Sequence, residues 1–259
     1  MPSAPKWTTG WFGALLGLPK FKRFLAPLAD SPKPLFEAAA ELLDLEISHS
    51  GQDRLERVDL SKGCIMVANH PSGLVDTFAS GLWITRTTNQ PARFLGNQII
   101  GVLIPEAVPY MISVNNMGRR SPERSAFNRA ALGQAETFLK EGGLLGVSPA
   151  GEVSSWRIKS PEGIFRWTDQ PWNPSFVSLA KAAGVPIVPV HVTGSNRWRY
   201  RFLRLFGRVA GRMMNFRELL ASSGKHVHIR VGEPLLVADV QAMSDAEVVR
   251  ETRRRLYSD

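Results

Sequence analysis

The chain contains a single cysteine, Cys64, among its 259 residues. A disulfide framework needs paired cysteines, so none is available to cross-link this fold. Cys64 lies in an apolar run that leads to His70, and we therefore expect a buried thiol that belongs to the core. The low cysteine content fits a protein on the cytosolic side of a membrane.

Long apolar runs are also missing. A membrane-spanning helix needs about 20 consecutive apolar residues, whereas the run at residues 11–18 stops at Pro19. The start of the chain carries neither the basic region nor the cleavage site of a signal peptide, so we expect no export by that route. Phosphate-binding glycine loops of the Lys-Ser/Thr or Gly-x-Gly-x-x-Gly type are absent as well.

Hydrophobic residues make up 44% of the chain, enough for a globular core, and the formal net charge is +9. This charge indicates an anionic partner, either nucleic acid, an acidic membrane surface or a phosphate-bearing substrate. Residues 197–217 carry seven arginines and no acid, interleaved with aromatic and apolar residues. This basic segment suits a headgroup-binding helix, a nucleic-acid groove or a solvated helix packed on the core. We favour lipid contact and expect no nucleic acid, because a nucleic-acid protein would spread basic residues over other elements too.

The N-terminal part of the chain mixes aromatic and basic residues, among them Trp7, Trp11, Phe21, Lys20 and Lys22. This mixture suits a helix that lies in a lipid interface. It suits equally well an N-terminal helix that packs on the core of a soluble domain. We therefore divide the chain into an N-terminal amphipathic helical segment, residues 1–44, and a second domain, residues 45–259.

Predicted strands and helices alternate along the second domain. Strands are predicted at residues 45–50, 63–68, 92–95, 110–114, 144–147 and 186–192, and helices at 35–43, 74–85, 121–141 and 172–183. Alternation of this kind is typical of a sheet covered by helices on both faces. The sequence therefore predicts an α/β fold with a mixed, largely parallel central sheet flanked by helices.

One turn follows directly on a buried strand, where α/β sheets usually place their ligands. His70 stands at this strand end, and Ser72 is the expected N-cap of the next helix, with Gly73 allowing a tight turn. Asp76 then falls in the first helical turn, from which its carboxylate can orient the imidazole of His70 as a general base. A hydrogen-bonded turn histidine and an aspartate favoured by the helix dipole explain the same pattern without catalysis.

Four stretches, taken in order, together resemble the glycerolipid acyltransferase superfamily. The second of them, residues 114–120, Val-Asn-Asn-Met-Gly-Arg-Arg, falls where the superfamily has its second motif. Residues 69–76, Asn-His-Pro-Ser-Gly-Leu-Val-Asp, are similar to its first motif, with five rather than four residues between His and Asp. Residues 149–154, Pro-Ala-Gly-Glu-Val-Ser, are similar to a variant of the third motif, and the strand at 184–190 to the fourth. The first-motif variant resembles the branch that includes ornithine-lipid and hemolysin-like acyltransferases.

The resemblance implies roles for several residues. His70 would be the general base and Asp76 its orienting carboxylate. Backbone N–H groups near Gly151, or in the turn after His70, would stabilise the tetrahedral oxyanion. Substrate would contact the other motif residues and two arginines that follow the second motif, namely Asn69, Ser72, Gly73, Pro149, Gly151, Glu152, Arg119 and Arg120.

Two arginine positions of the superfamily's motifs are filled differently here. Asn115 and Val153 stand where arginines contact the acceptor phosphate, which places a glycerol-3-phosphate or lysophosphatidate acceptor in doubt. Arg119 and Arg120, just ahead of a helix N-terminus, are substitutes for these phosphate ligands or a solvated pair, and Arg157 is a further substitute. An acyl tunnel is expected along residues 99–109.

The resemblance implies an acyltransferase that moves a fatty acyl group to a hydroxyl of a lysophospholipid or related lyso-lipid. The donor would be acyl-CoA or acyl carrier protein, with no cofactor, and the enzyme would lie peripherally on the cytoplasmic face of the inner membrane, in contact with anionic lipids. The alternatives are a lyso-ornithine-lipid O-acyltransferase and a non-catalytic membrane lipid-binding protein. His226 and His228 alternate with Val227 and Ile229 as in a half-exposed strand, and we expect no metal site.

Overall fold

The computed structural model describes residues 18–90, 92–116, 121–193 and 224–258. Residues 1–17 of the N-terminal segment, the Arg119–Arg120 pair and the basic segment 197–217 lie outside the described residues. No helix in the described part of the chain is both long and apolar enough to cross a bilayer.

The seven strands of the central sheet follow one another in the order β1-β9-β8-β2-β5-β3-β4. They are β1 (Glu46–Ser50), β2 (Cys64–Ala68), β3 (Ala92–Asn97), β4 (Met111–Val114), β5 (Leu144–Val147), β8 (Ile187–Thr193) and β9 (His226–Val231). All neighbouring pairs are parallel except β8 and β9, which are antiparallel. The predicted mixed, largely parallel sheet is confirmed.

The helices lie on both faces of this sheet. They are α1 (Leu18–Leu25), α2 (Leu35–Leu42), α3 (Leu74–Thr88), α4 (Gln98–Leu103), α5 (Pro122–Lys140), α6 (Ser175–Ala183), α7 (Val237–Ala242) and α8 (Asp245–Tyr257). A 3₁₀ helix at Pro105–Tyr110 follows α4. Residues 99–109, expected as a tunnel wall, are thus helical for most of their length.

The central strand β2 shows how the core is built. Cys64 and Met66 pack into a cluster with α1, α2 and α3, whereas Ile65 and Val67 pack into a second cluster with α5, α6 and α8. Successive residues of a strand point to opposite faces, so a strand between two helical layers must be apolar throughout. Cys64 is buried as expected, and burial raises the pKa of its thiol to about 12.

Helix α5 begins and ends within one residue of the prediction, and helix α3 begins at the predicted Leu74 but ends later. Ser121 caps α5, where its side chain accepts a hydrogen bond from the backbone N–H of Arg124, and Pro122 takes the first helical position. Helix α3 continues three residues past the predicted end at Thr85, and Asn89 then stops it in the left-handed conformation.

The described part of the N-terminal segment packs on the core. Phe21, Leu25 and Leu28 are buried, while Lys20 and Lys22 are exposed. For these residues the burial matches a helix packed on the domain. The boundary between residues 44 and 45 stays a prediction.

A two-stranded antiparallel hairpin stands apart from the central sheet. It consists of β6 (Ser155–Ser160) and β7 (Gly163–Thr168) and follows directly on the stretch that resembles the third motif. The sequence analysis assigned no structure to these residues, nor to α7 and α8.

Candidate active site

The site lies at the carboxyl edge of the sheet, where β2 ends and the chain turns into α3. Asn69, the first residue after β2, is buried and joins this turn to β8. Its side-chain amide donates to the carbonyl of Val192 (2.9 Å), and its side-chain oxygen accepts from the Val192 N–H (2.7 Å). Asn69 therefore extends the hydrogen-bond ladder between β2 and β8 beyond the end of the strand.

His70 and Asp76 face each other across the turn. Nδ1 of His70 lies 3.3 Å from Oδ2 of Asp76, and the two side chains are 21% and 4% exposed. The two atoms lie within ion-pair distance but do not form a hydrogen bond. Nδ1 of His70 has no hydrogen-bond partner among the described residues. Catalytic hydrogen bonds are often long in the absence of substrate and shorten in the complex.

The carboxylate of Asp76 also organises the start of α3. Oδ2 accepts hydrogen bonds from the backbone N–H groups of Ser72 (2.7 Å) and Gly73 (3.0 Å). Asp76 thus satisfies amide groups that a helix N-terminus leaves without internal partners, and the same oxygen faces the imidazole.

Ser72 was the wrong choice for the N-cap. The helix begins at Leu74 with Gly73 as its cap, at φ 79° and ψ −129°, a backbone conformation that only glycine adopts readily. Because Asp76 already bonds both amides of the turn, no serine hydroxyl is needed there. Within the described residues the Ser72 hydroxyl, which is buried, has no hydrogen-bond partner.

Asp169 is a residue of this site that the sequence analysis missed. One carboxylate oxygen accepts from the backbone N–H of His70 (3.2 Å) and from the Ser154 hydroxyl (2.7 Å), and the other accepts from Trp172 Nε1 (3.0 Å). The Ser154 N–H in turn donates to the carbonyl of His70 (2.8 Å). Asp169 and Ser154 together therefore fix both backbone polar groups of His70.

Burial raises the pKa of Asp169, although the hydrogen bonds from Ser154, His70 and Trp172 counteract this effect. The residue is 99 positions from His70 in sequence. In the sequence Asp169 is marked only by its position between Trp167 and Trp172, at the end of a stretch in which polar and apolar residues alternate. That pattern does not reveal its partners.

Arg253 of α8 hydrogen-bonds the backbone at Asp169. Its guanidinium donates to the carbonyls of Asp169 (3.2 Å) and Gln170 (3.1 Å) and forms an ion pair with Glu162, the turn residue of the hairpin. Burial acts to raise the pKa of Glu162, but the hydrogen bonds and charge of Arg253 outweigh it, so the pKa is lowered. The C-terminal helix, the hairpin and the His70 turn are thus connected by one hydrogen-bonded network.

Three of the backbone amides in the segments predicted to hold the oxyanion are already engaged. The Gly151 N–H donates to the carbonyl of Ser148 (3.0 Å), which closes a turn where Gly151 has φ 62°. The N–H groups of Ser72 and Gly73 are bonded to Asp76, as described above. None of these three amides therefore has its hydrogen directed at a substrate.

A cavity of about 500 Å³ opens beside His70. Its polar part is lined by motif residues and by asparagines and a serine, namely His70, Gly73, Asn97, Asn116, Asn128, Ser148, Pro149, Gly151, Glu152 and Asn173. Its apolar part is lined by Phe36, Phe78, Phe94, Ile99, Ile100, Leu103, Ile104, Ala107, Tyr110 and Met111. The wall expected at residues 99–109 is present, and Ile104 within it is 1% exposed.

Eight of the ten predicted site residues lie in the described part of the chain, and the structure separates them into two groups. Five of them line the cavity, His70, Gly73, Pro149, Gly151 and Glu152, and three lie behind it, Asn69, Ser72 and Asp76.

Of the positions considered for phosphate contact, the three that the structure describes, Asn115, Val153 and Arg157, carry no positive charge into the cavity. Arg119 and Arg120 lie outside the described residues. The Asn115 N–H donates to the side chain of Asn128, and Val153 is buried and apolar. Arg157 lies in β6, where it donates to the side chain of Gln170, and it is not among the residues that line the cavity.

His226 and His228 alternate in exposure with buried neighbours in β9, as predicted. Both rings hydrogen-bond the hydroxyl of Ser48 in the neighbouring strand β1, at 2.9 and 2.8 Å. Their contacts are thus those of a cross-strand cluster at the far edge of the sheet.

Comparisons with known proteins agree on one class. The chain matches a family model described as Acyltransferase over residues 32–258. It is also similar to the lyso-glycine lipid O-acyltransferase of Phocaeicola vulgatus, with 23% identity over 206 residues that cover 77% of this chain and 67% of that protein. The family match includes all the described residues that line the cavity.

Proposed function

The chain belongs to the acyltransferase family, and we propose that it moves a fatty acyl group from a thioester to a hydroxyl of a lyso-lipid. The family match confirms the resemblance that the motifs indicated. The family match also supports an enzyme rather than the non-catalytic lipid-binding protein. The donor in this proposal is acyl-CoA or acyl carrier protein, and the enzyme works at the cytoplasmic face of the inner membrane.

The observation that carries the proposal is the placement of His70 at the cavity with Asp76 behind it. Because Nδ1 faces the carboxylate, Nε2 is the ring nitrogen left to take the proton of the acceptor hydroxyl. The hydroxyl oxygen then attacks the thioester carbonyl, the C–S bond breaks, and the proton passes from His70 to the departing thiolate. Asp76 stabilises the imidazolium that exists between these two proton transfers.

The apolar part of the cavity suits the acyl chain. A volume of about 500 Å³ lies within the range of pockets that enclose small ligands, roughly 300–1,000 Å³. Burial of a hydrocarbon chain among aromatic and aliphatic side chains is favourable in proportion to the area removed from water. In this proposal the reacting carbonyl lies at His70 and the chain extends toward Ile104.

For the acceptor we propose a lyso-lipid with an amino-acid headgroup. The described residues that line the cavity include no lysine or arginine, and their one carboxylate belongs to Glu152. A phosphate is usually bound by positively charged groups, and Asn115 and Val153 supply none. The relative from Phocaeicola vulgatus is named for a lyso-glycine lipid, and lyso-ornithine lipid is the second member of this class. A lysophosphatidate-type acceptor is the rival.

The test is acyl transfer by the purified full chain. Radiolabelled acyl-CoA and acyl carrier protein are each offered with lyso-glycine lipid, lyso-ornithine lipid, lysophosphatidate and other lysophospholipids. We expect label on an amino-acid lyso-lipid, and His70→Ala to lower kcat by about 10²–10⁴-fold, the usual contribution of a general base.

His226→Ala is the matched control, since it removes an exposed histidine of β9, and its activity should equal that of the unchanged protein. Preferred transfer to lysophosphatidate would overturn the acceptor proposal alone. Undiminished transfer by a folded His70→Ala variant would overturn the mechanism.

A further inference from the structure

The hairpin of β6 and β7 concentrates exposed apolar side chains. Seven large apolar residues are exposed in the described part of the chain, and three of them, Trp156, Ile158 and Ile164, belong to these two short strands. Ile158 and Ile164 are the most exposed of the seven, at 77% and 80%. Single exposed apolar side chains are common on protein surfaces, but a cluster on one ribbon indicates an interaction surface.

The hairpin also carries basic side chains. In its register Arg157 pairs with Arg166, and Lys159 pairs with Ile164. Paired residues of an antiparallel ribbon point to the same face, so these four share one face, and Trp156 and Ile158 lie on the other. Glu162, the single acidic residue of the hairpin, forms an ion pair with Arg253. The hairpin itself therefore presents a net positive charge.

Both ends of the hairpin are fixed to the body of the protein. Ser154, directly before β6, and Asp169, directly after β7, are hydrogen-bonded to the backbone of His70. The turn is held at α8 through Glu162 and Arg253. The ribbon is thus preformed, and the segments at its base position the catalytic histidine.

We propose that this hairpin is the surface by which the enzyme docks on an anionic lipid bilayer. On the face that Arg157, Lys159 and Arg166 share, Ile164 enters the interfacial region of the bilayer and the basic side chains attract anionic headgroups. Trp156 and Ile158 add exposed apolar surface on the opposite face of the ribbon. The inference rests on the proposed function only in that a lipid is the acceptor. It adds that the docking surface and the His70 turn are one connected unit, so that bound enzyme meets its substrate at the bilayer surface.

An acidic protein such as acyl carrier protein is the rival occupant. Charge alone would suit it, since its surface would pair with Lys159 and Arg166. Ile158 and Ile164 favour the bilayer, because they are the two most exposed large apolar residues in the described part of the chain and carry no charge that an acidic carrier protein could pair with. The experiment below separates the two partners.

A fluorescent reporter at the hairpin tests the docking directly. Ile164→Cys is labelled with an environment-sensitive dye in the full chain, and the buried Cys64, with a thiol pKa of about 12, does not compete for the label. Vesicles of phosphatidylcholine with phosphatidylglycerol should shift the emission to the blue, as expected for transfer of the dye out of water. Leu236→Cys, at an exposed leucine outside the hairpin, is the control and should not respond.

A second variant measures the energy of the contact. Ile158→Glu with Ile164→Glu should lower vesicle partitioning by about tenfold, because it removes apolar insertion and adds charge that anionic lipid repels. Leu236→Glu should leave partitioning unchanged, and matching thermal midpoints show that all variants are folded. If the double glutamate variant partitions as the unchanged protein does and the dye on Ile164→Cys shows no emission shift with vesicles, the proposal is overturned. If the double glutamate variant still binds vesicles fully but loses activity only when acyl carrier protein is the donor, the hairpin binds a protein partner and the proposal is overturned.

Transfer to acceptor dispersed in detergent micelles separates this inference from the proposed function. If the glutamate variant keeps its activity in micelles but loses it on vesicles, docking is supported. If no acceptor is acylated under any condition while the dye still responds, the acyl-transfer proposal fails and the docking surface stands.

Discussion

Asp169 accepts a hydrogen bond from the backbone N–H of His70, not from its imidazole, and this distinguishes it from Asp76. Asp76 faces the ring, where a carboxylate stabilises the imidazolium. Asp169 holds the peptide from which that ring projects, and Ser154 completes the contact. The site thus contains two buried carboxylates, one facing the ring of His70 and one bonded to its backbone, and only Asp76 stood out in the sequence.

We expect Asp169→Asn to lower kcat with little change in KM. The amide of asparagine would meet the Trp172 N–H donor, so the segment that positions His70 would shift. Misplacement of a catalytic group by about 1 Å can cost about 10²-fold in rate. Steady-state kinetics on micellar acceptor measures the split between kcat and KM.

Asp239→Asn is the control for this variant, because Asp239 caps α7 and lies outside the network around His70. A raised KM at unchanged kcat would contradict a positioning role for Asp169. A fall in kcat that is fully explained by a proportional loss of folded protein would also contradict a positioning role for Asp169.

At the scale of elements, the local pattern predicted much of the sheet but not the contacts around the site. Strand β2 and helix α5 follow from an apolar run and from the Ser121-Pro122 start. The hairpin has a signal of its own, because Trp156, Arg157, Ile158 and Lys159 alternate before a turn of Ser-Pro-Glu-Gly. Its junction with the His70 turn depends on residues far apart in sequence, and no local propensity encodes that.

Helix α4 and the 3₁₀ helix after it form one wall of the cavity, and Ile104 lies between them. We expect Ile104→Phe, which fills part of the cavity with an apolar ring, to lower transfer of long acyl chains about tenfold or more relative to short ones. A phenylalanine avoids the burial of charge that Ile104→Glu would impose, so the fold should persist. Competition between long-chain and short-chain acyl-CoA measures the ratio.

Val108→Phe is the matched control, since Val108 belongs to the same 3₁₀ helix but is 57% exposed. Its chain-length preference should equal that of the unchanged protein. Equal losses on long and short chains for Ile104→Phe would show that this wall does not contact the acyl tail.

At the scale of the whole molecule, parallel strands bring the site together. Strands β2, β3, β4 and β5 run in the same direction, so the residues that follow them meet at one edge of the sheet. His70 follows β2, Asn116 follows β4 and Ser148 follows β5, and all three line the cavity. The edge was predictable from the alternation of strands and helices and from the turn that follows the buried strand β2. The depth of the cavity was not, because it depends on how α2, α3 and α4 pack above it.

The stability of the folded molecule should respond to acid through Glu251 of α8. Hydrogen bonds from Arg254 and Arg255 lower the pKa of Glu251 to about 2, against an ordinary value of 4.5. Because the pKa is lower in the folded state, the stabilisation is complete above the ordinary pKa and is lost as the pH falls toward about 2. Asp169 acts in the opposite sense. Burial raises its pKa, so protonation of this carboxylate as the pH falls favours the folded state.

Glu251→Gln should therefore lower the free energy of unfolding near neutral pH, by less than about 1 kcal/mol because the pair is partly exposed. The difference between variant and unchanged protein should shrink steadily as the pH falls below the ordinary glutamate pKa. Urea unfolding followed by circular dichroism at a series of pH values measures it. Glu56→Gln, at an exposed glutamate outside α8, is the control variant. A difference for Glu251→Gln that stays constant with pH would mean that neutral packing, and not the charge, provides the stabilisation.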